Sequence, residues 1–179
     1  MTSAPIAQQR LLIDLQDLDS HLARLRHERK HLPVLTRIEA VIERLKANKR
    51  AAIQAEAALD EAKKQSTRSE DEVGQVARRA EVLRERLHSG SSAARDLSAI
   101  QGEIDQLGQR QSALEEAQIV AMEALDSARQ EAERLSQEEA EIRAAGRELT
   151  AKRDAEFARL DEEIESLENQ RADLAGTIE

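Results

Sequence analysis

The feature that most constrains this chain is one short break, His88-Ser89-Gly90-Ser91-Ser92, with a helical pattern of more than 80 residues on each side of it. On both sides apolar residues recur at alternating steps of three and four. A stripe of that period winds slowly around a helix and has to be covered by a partner helix. The break lets the chain supply its own partner. The expected fold is all-α: a long antiparallel coiled-coil hairpin with its tip at residues 88–92 and a kink or break near Pro33.

The pattern divides the chain into segments. Pro5 suits the first turn of a helix, where its missing N–H costs nothing. Leu11, Leu15, Leu18, Leu22, Leu25 and Leu32 follow, with Arg29 interrupting one position. Pro33 cannot sit in a helix interior, so a first helix is expected over about 5–31 and a second over about 34–87. In the second, Ile38, Leu45, Ala52, Leu59, Ser66, Val73, Ala80 and Leu87 stand seven apart. Val41, Asn48, Ala55, Ala62, Ser69, Val76 and Leu83 form the companion series. Between Asn48 and Ser69 the stripe is mostly small or polar, so this stretch buries less area and is expected to be the weaker part of the seam.

Beyond the break, Ser91 or Ser92 is placed to cap a third helix, expected over about 93–177. Its stripe runs from Leu97 to Leu149, with Gln111, Gln118 and Glu139 as polar interruptions. It then continues through Arg153, Phe157, Leu160, Ile164, Leu167, Leu174 and Ile178 only if four extra residues enter after Leu149, a stutter that locally unwinds the supercoil. With the turn centred near residue 91, Pro33 falls opposite residue 149, so a break in one strand meets a packing irregularity in the other. The same register sets Arg24, Arg26, Arg29 and Lys30 beside the acidic stretch Asp154 to Asp161. A parallel dimer of single long helices would leave Pro33, Gly90 and the serines as unexplained faults. The chain is therefore read as one hairpin domain over residues 1–179, a monomer or a weak dimer.

Composition agrees with a narrow two-helix seam. The chain is 35% charged and has one aromatic residue, Phe157, which leaves little bulk for a wide core. Residues 1–50 carry ten Lys and Arg against six Asp and Glu, whereas residues 93–179 carry ten against twenty-two. Opposite signs on the two arms suit their pairing. A nucleic-acid platform would need a basic surface with stacking aromatics, so nucleic acid is not an expected partner of this segment. No apolar run is long enough for a membrane span and the first residues do not read as a signal peptide, so the expected location is cytoplasmic, away from membranes. With no cysteine, disulfides, thiolate metal sites and cysteine nucleophiles are excluded.

Few residues suggest chemistry. His27-Glu28-Arg29-Lys30-His31 matches the H-E-x-x-H pattern, which puts two imidazoles on one helical face. A metallopeptidase also needs a third ligand and a cleft, which two paired helices do not offer. The reading is two solvated histidines near a helix C-terminus, with no enzyme activity, no catalytic residue and no metal site. His21 and His88 stand alone. Arg24, Arg26, Arg29, Lys30 and Arg37 are read as one side of an intramolecular charge ladder rather than a phosphate site. Glu138-Glu139-Glu141 and Asp161-Glu162-Glu163-Glu165 are read as solvated faces. The tip is the candidate docking surface for a protein partner, through Ser89, Gly90, Ser91, Ser92, Arg95 and Asp96, because only there do backbone groups leave the helical ladder.

The opening Gln8-Gln9-Arg10-Leu11-Leu12-Ile13-Asp14-Leu15-Gln16-Asp17-Leu18-Asp19, the Leu32-Pro33 break and the tip segment carry a resemblance. Ser89-Gly90 followed by Arg95-Asp96-Leu97-Ser98-Ala99-Ile100-Gln101-Gly102-Glu103-Ile104 resembles the "SG … KDL-x-x-L-Q-x-E-I" segment of bacterial coiled-coil hairpin proteins that end in a C4-type zinc ribbon. The resemblance spans nearly the whole chain. It implies a non-enzymatic adaptor or chaperone-like role, and it implies zinc and nucleic-acid or protein binding only in a ribbon with two C-x-x-C pairs. This chain stops at Glu179 without a cysteine, and the expectation is that it is a piece of a longer member. The other reading is a purely structural spacer or filament component with an inert tip.

Overall fold

A computed structural model describes residues 6–90 and 93–177. Three helices account for nearly all of them: α1 over Ile6–Lys30, α2 over Pro33–His88 and α3 over Ala94–Gly176. No strand occurs among the described residues. The chain is an all-α antiparallel coiled-coil hairpin. Its contacts divide into two units, one of residues 1–47 with 140–179 and the other of residues 48–139. Each unit is a pair of antiparallel helical arms.

In the unit of residues 48–139, Arg79 meets Glu103 and Asn48 meets Leu135, so partners on α3 fall as residues on α2 rise. Both pairs follow the register in which facing residue numbers sum to about 182. The seam buries Ala55, Val76, Ala80 and Leu83 of α2 against Ile100, Ala121 and Leu135 of α3. Asn48, Ser66 and Ser69 are buried among them, polar positions in an otherwise apolar stripe.

The other unit is held by bulkier residues. Leu25, Leu32 and Leu160 form its cluster, with Val34, Leu35, Phe157, Ile164 and Leu167 packed against it. Leu160 and Ile142 are the largest fully buried side chains among the described residues. The break between α1 and α2 is only His31 and Leu32. Pro33 is the first residue of α2, where its ring satisfies the helix geometry and its lost N–H is no loss. The amide of His31 still donates to the carbonyls of His27 and Glu28, and that of Leu35 donates to Leu32. Leu32 itself is buried, so a core side chain pins the break.

The phase slip after Leu149 is visible in the burial pattern. Covered positions run Ile142, Gly146, Leu149, Arg153, Phe157, Leu160 and Ile164, with two consecutive steps of four where a heptad would alternate four with three. Pro33 and Leu149 line one cavity with Lys152 and Glu156, so the break and the slip do meet. The simple register does not hold elsewhere in this unit. Arg29 pairs with Asp161, at the end of the acidic stretch expected beside it, whereas Arg26 pairs with Glu168, beyond that stretch, and Asp19 with Arg171. All three partners lie farther along α3 than a sum of about 182 places them. Part of this shift precedes the break, because a Cβ on Gly146 would already lie 3.4 Å from Val41. The reach of the long arginine side chains supplies more. Of the expected ladder, Arg26 and Arg29 are engaged, while Arg24, Lys30 and Arg37 make no ion pair among the described residues.

Candidate functional site

Arg29, the polar interruption in the α1 stripe, is accommodated by the ring of Phe157, the chain's one phenylalanine. Its guanidinium lies 4.2 Å from the centre of Phe157 and forks onto Asp161 at 2.6 and 3.1 Å. The cation thus keeps a charge partner and an aromatic face while its stem covers the seam. Hydrogen bonding to Asp161 holds the Arg29 guanidinium more firmly protonated than usual.

The H-E-x-x-H segment has local partners of its own. The rings of His27 and His31 stack with centroids 4.1 Å apart, and His31 Nδ1 lies 2.8 Å from the carbonyl oxygen of His27. The carboxylate of Glu28 accepts from Arg159 at 3.4 Å. No group of three His, Asp or Glu residues placed to hold a metal occurs among the described residues. The charged faces elsewhere are laced by short-range pairs, such as Arg134 with Glu131 and Glu138, and Arg159 with Glu156 and Glu163.

At the tip, α2 ends through bonds that its own last turn provides. The Ser89 amide donates to Glu85, Ser89 Oγ donates to the carbonyl of Arg86, and His88 Nδ1 lies 2.7 Å from the carbonyl oxygen of Arg84. Gly90 follows with φ of 63°, the left-handed conformation that ends many helices and that glycine adopts without penalty. Ser91 and Ser92 lie outside the described residues. On the far side, the carbonyl of Ala93 receives the amides of Asp96 and Leu97 and starts α3. Asp96 sits in the first turn, where a negative charge suits the helix dipole. Arg95 and Asp96 are both exposed, and neither makes an ion pair among the described residues. Arg95 and Asp96 thus present opposite charges side by side at the start of α3.

With this geometry established, comparison with known proteins identifies the class. The description of a CT398-like coiled coil hairpin domain matches residues 15–179. The chain belongs to this family. The Rv2229c protein of Mycobacterium tuberculosis strain H37Rv is 34% identical over 192 residues, spanning 94% of this chain and 77% of the relative. A Mycobacterium smegmatis protein of known structure superposes with a TM-score of 0.80 at 26% identity, covering 99% of this chain and 74% of that one. The HP0958 protein of Helicobacter pylori shares the fold, with a TM-score of 0.60 at 16% identity over 97% of this chain and 72% of that one. No helix among the described residues is long and apolar enough to cross a membrane.

Sequence reasoning missed one concavity. Gly146 occupies a seam position, seven residues from Glu139 and from Arg153, and its missing side chain leaves a groove between α2 and α3. The signal was available: a glycine on a heptad position is a gap in the stripe.

Proposed function

We propose that this CT398-like hairpin is a non-enzymatic scaffold, of an adaptor or chaperone-like kind, whose tip docks a protein partner. The observation that carries this reading is the pair Arg95 and Asp96, exposed and without an ion-pair partner among the described residues, close in sequence to the left-handed Gly90. A coiled-coil hairpin matches a structural or scaffold role, and the tip is where its backbone and charges are open to another molecule. A cytoplasmic location accords with the polar, charged surface. Zinc and any nucleic acid belong to a C-terminal ribbon in this reading, which rests on the resemblance of the tip segment.

The test is a photo-crosslinking residue at Ala93 in living cells, with the trapped protein identified by mass spectrometry. An Arg95→Glu, Asp96→Lys double variant is expected to lose that crosslink while its helical circular dichroism stays unchanged. A crosslink that survives the double charge reversal removes the tip from the binding surface. If no protein is trapped from any tip position, the purely structural spacer is the better reading. The almost unbroken seam on both arms favours that alternative.

A further inference from the structure

We propose that the groove beside Gly146 receives the acidic, apolar ridge at Ile119–Met122 of a second copy of this chain. The groove lies in the unit of residues 1–47 with 140–179. Ile38, Val41, Ile42 and Leu45 of α2 form one wall and Ile142 with Gly146 of α3 the other, around about 640 Å³ of open space. A Cβ placed on Gly146 would lie 3.4 Å from Val41 Cγ1, so the glycine lets the two arms come close and leaves the groove open beside them. Ile42 is 46% exposed there, an apolar side chain left facing solvent.

The groove is also a basic region in an acidic chain. Residues 37–50 carry five Lys and Arg against two Glu, and the charged α3 residues that line the groove are Arg143, Arg147 and Arg153 against Asp154. Arg147 lines the groove and makes no ion pair among the described residues. An occupant should therefore present apolar side chains on an acidic helix.

The chain carries such a helix in its other unit. Ile119, Val120 and Met122 are 57%, 65% and 53% exposed, a cluster of large apolar side chains within four residues of α3. Residues 111–128 contain four acidic residues and no basic one. Glu116 stands one turn before Ile119 and Glu123 one turn after Ile119 and Val120, and neither makes an ion pair among the described residues. Isolated exposed apolar residues are ordinary, but a cluster of three flanked by carboxylates on its own helix is a candidate contact surface. The ridge and the groove match in polarity and are opposite in charge. Docking would cover the three ridge side chains and Ile42 and bring Glu116 or Glu123 to Arg147. The surfaces are small, so association is expected to be weak, as for interfaces below about 1,200 Å².

Sedimentation velocity from roughly 1 to 300 µM chain tests this, a range that brackets micromolar association. The wild-type chain is expected to self-associate with rising concentration, and less so in high salt. Ile42→Glu, in the groove, and Val120→Glu, on the ridge, are each expected to weaken association about tenfold or more with helicity unchanged. An equimolar mixture of the two variants should regain association, because one contributes an intact ridge and the other an intact groove. A wild-type chain that stays monomeric throughout overturns the proposal, as does association that neither variant weakens. Failure of the mixture to recover overturns the pairing of groove with ridge. Should Ile42→Glu reduce helicity, Arg147→Glu takes its place as the groove variant, with the same expectations.

Discussion

Asn48 reaches across the seam and donates a hydrogen from Nδ2 to the carbonyl oxygen of Leu135 at 3.2 Å. Its other end has no such partner: Oδ1 is buried and accepts no hydrogen bond among the described residues. The carbonyl of Leu135 lies inside α3 and has its helical bond besides, so it does not depend on Asn48. A buried, half-satisfied amide in a heptad position costs stability and specifies register. An unmet buried acceptor costs about 1–3 kcal/mol. Asn48→Leu is expected to raise stability by about 1 kcal/mol in thermal unfolding, removing that cost and adding apolar burial. The same variant should loosen register, seen as a broader distance distribution between spin labels at Gln54 and Glu133. Higher stability with an unchanged distribution would show that the packed alanines alone set the register.

Leu160 concentrates the packing of its unit. It is fully buried, in one cluster with Leu25 and Leu32. Leu32 belongs to no helix, so its anchoring depends on that contact. Leu160→Ala is expected to cost about 2–5 kcal/mol, the range for a buried leucine whose cavity cannot collapse. Ile13→Ala, at an exposed position of α1, is expected to stay within about 0.5 kcal/mol. Urea unfolding of the two variants compares them directly. Similar losses would mean that the arms, not the cluster, limit stability.

How far the sequence reached depends on what kind of information each residue carries. Helices, break and phase slip follow from periodicity, which is a local property, and Pro33 and Gly90 mark points where local geometry has few solutions. Periodicity fixes which face is covered and not how far one arm slides along the other, so the simple register failed in the unit built on Leu25 and Leu160. It failed already on the tip side of Pro33, where a Cβ on Gly146 would lie 3.4 Å from Val41. It held for Arg79 with Glu103, where the helix is unbroken back to the tip. Individual ion pairs were equally illegible. Arg26 pairs with Glu168 on an exposed surface, where alternative pairings of long side chains differ by little energy. The candidate tip was legible as a turn. Its chemistry was not, since Arg95 and Asp96 are ordinary residues, and their lack of an ion-pair partner among the described residues is a property of the folded chain.

Gly90 tests the tip as geometry. Its φ of 63° is one that side chains with a Cβ adopt at a cost of about 1–2 kcal/mol. A Cβ there would meet nothing within 4 Å, so the cost is backbone strain without a clash. Gly90→Ala is expected to lower stability by about 1 kcal/mol and Gly90→Asn by less, since asparagine tolerates this region better. Thermal melts of the two variants give the ordering. Equal losses would point to steric crowding that the open surroundings of Gly90 do not provide.

Asp19 and Arg171 make the pH dependence of one arm readable. Two guanidinium nitrogens of Arg171 hydrogen-bond the Asp19 carboxylate, and this contact, ahead of the opposing desolvation and the charges of Arg171 and Arg26, holds its pKa below the ordinary aspartate value. A carboxyl depressed in the folded state contributes stability above its unfolded pKa, near 3.9, and loses it as pH falls through the folded value. Both side chains are largely exposed, so the contribution is small and salt-sensitive. Asp19→Asn is therefore expected to melt slightly lower than the wild type at pH 7 in low salt. The difference should shrink below about pH 4 and disappear once the carboxylate is protonated. A gap that persists at pH 2 would assign the loss to packing of the Asp19 side chain and not to its charge.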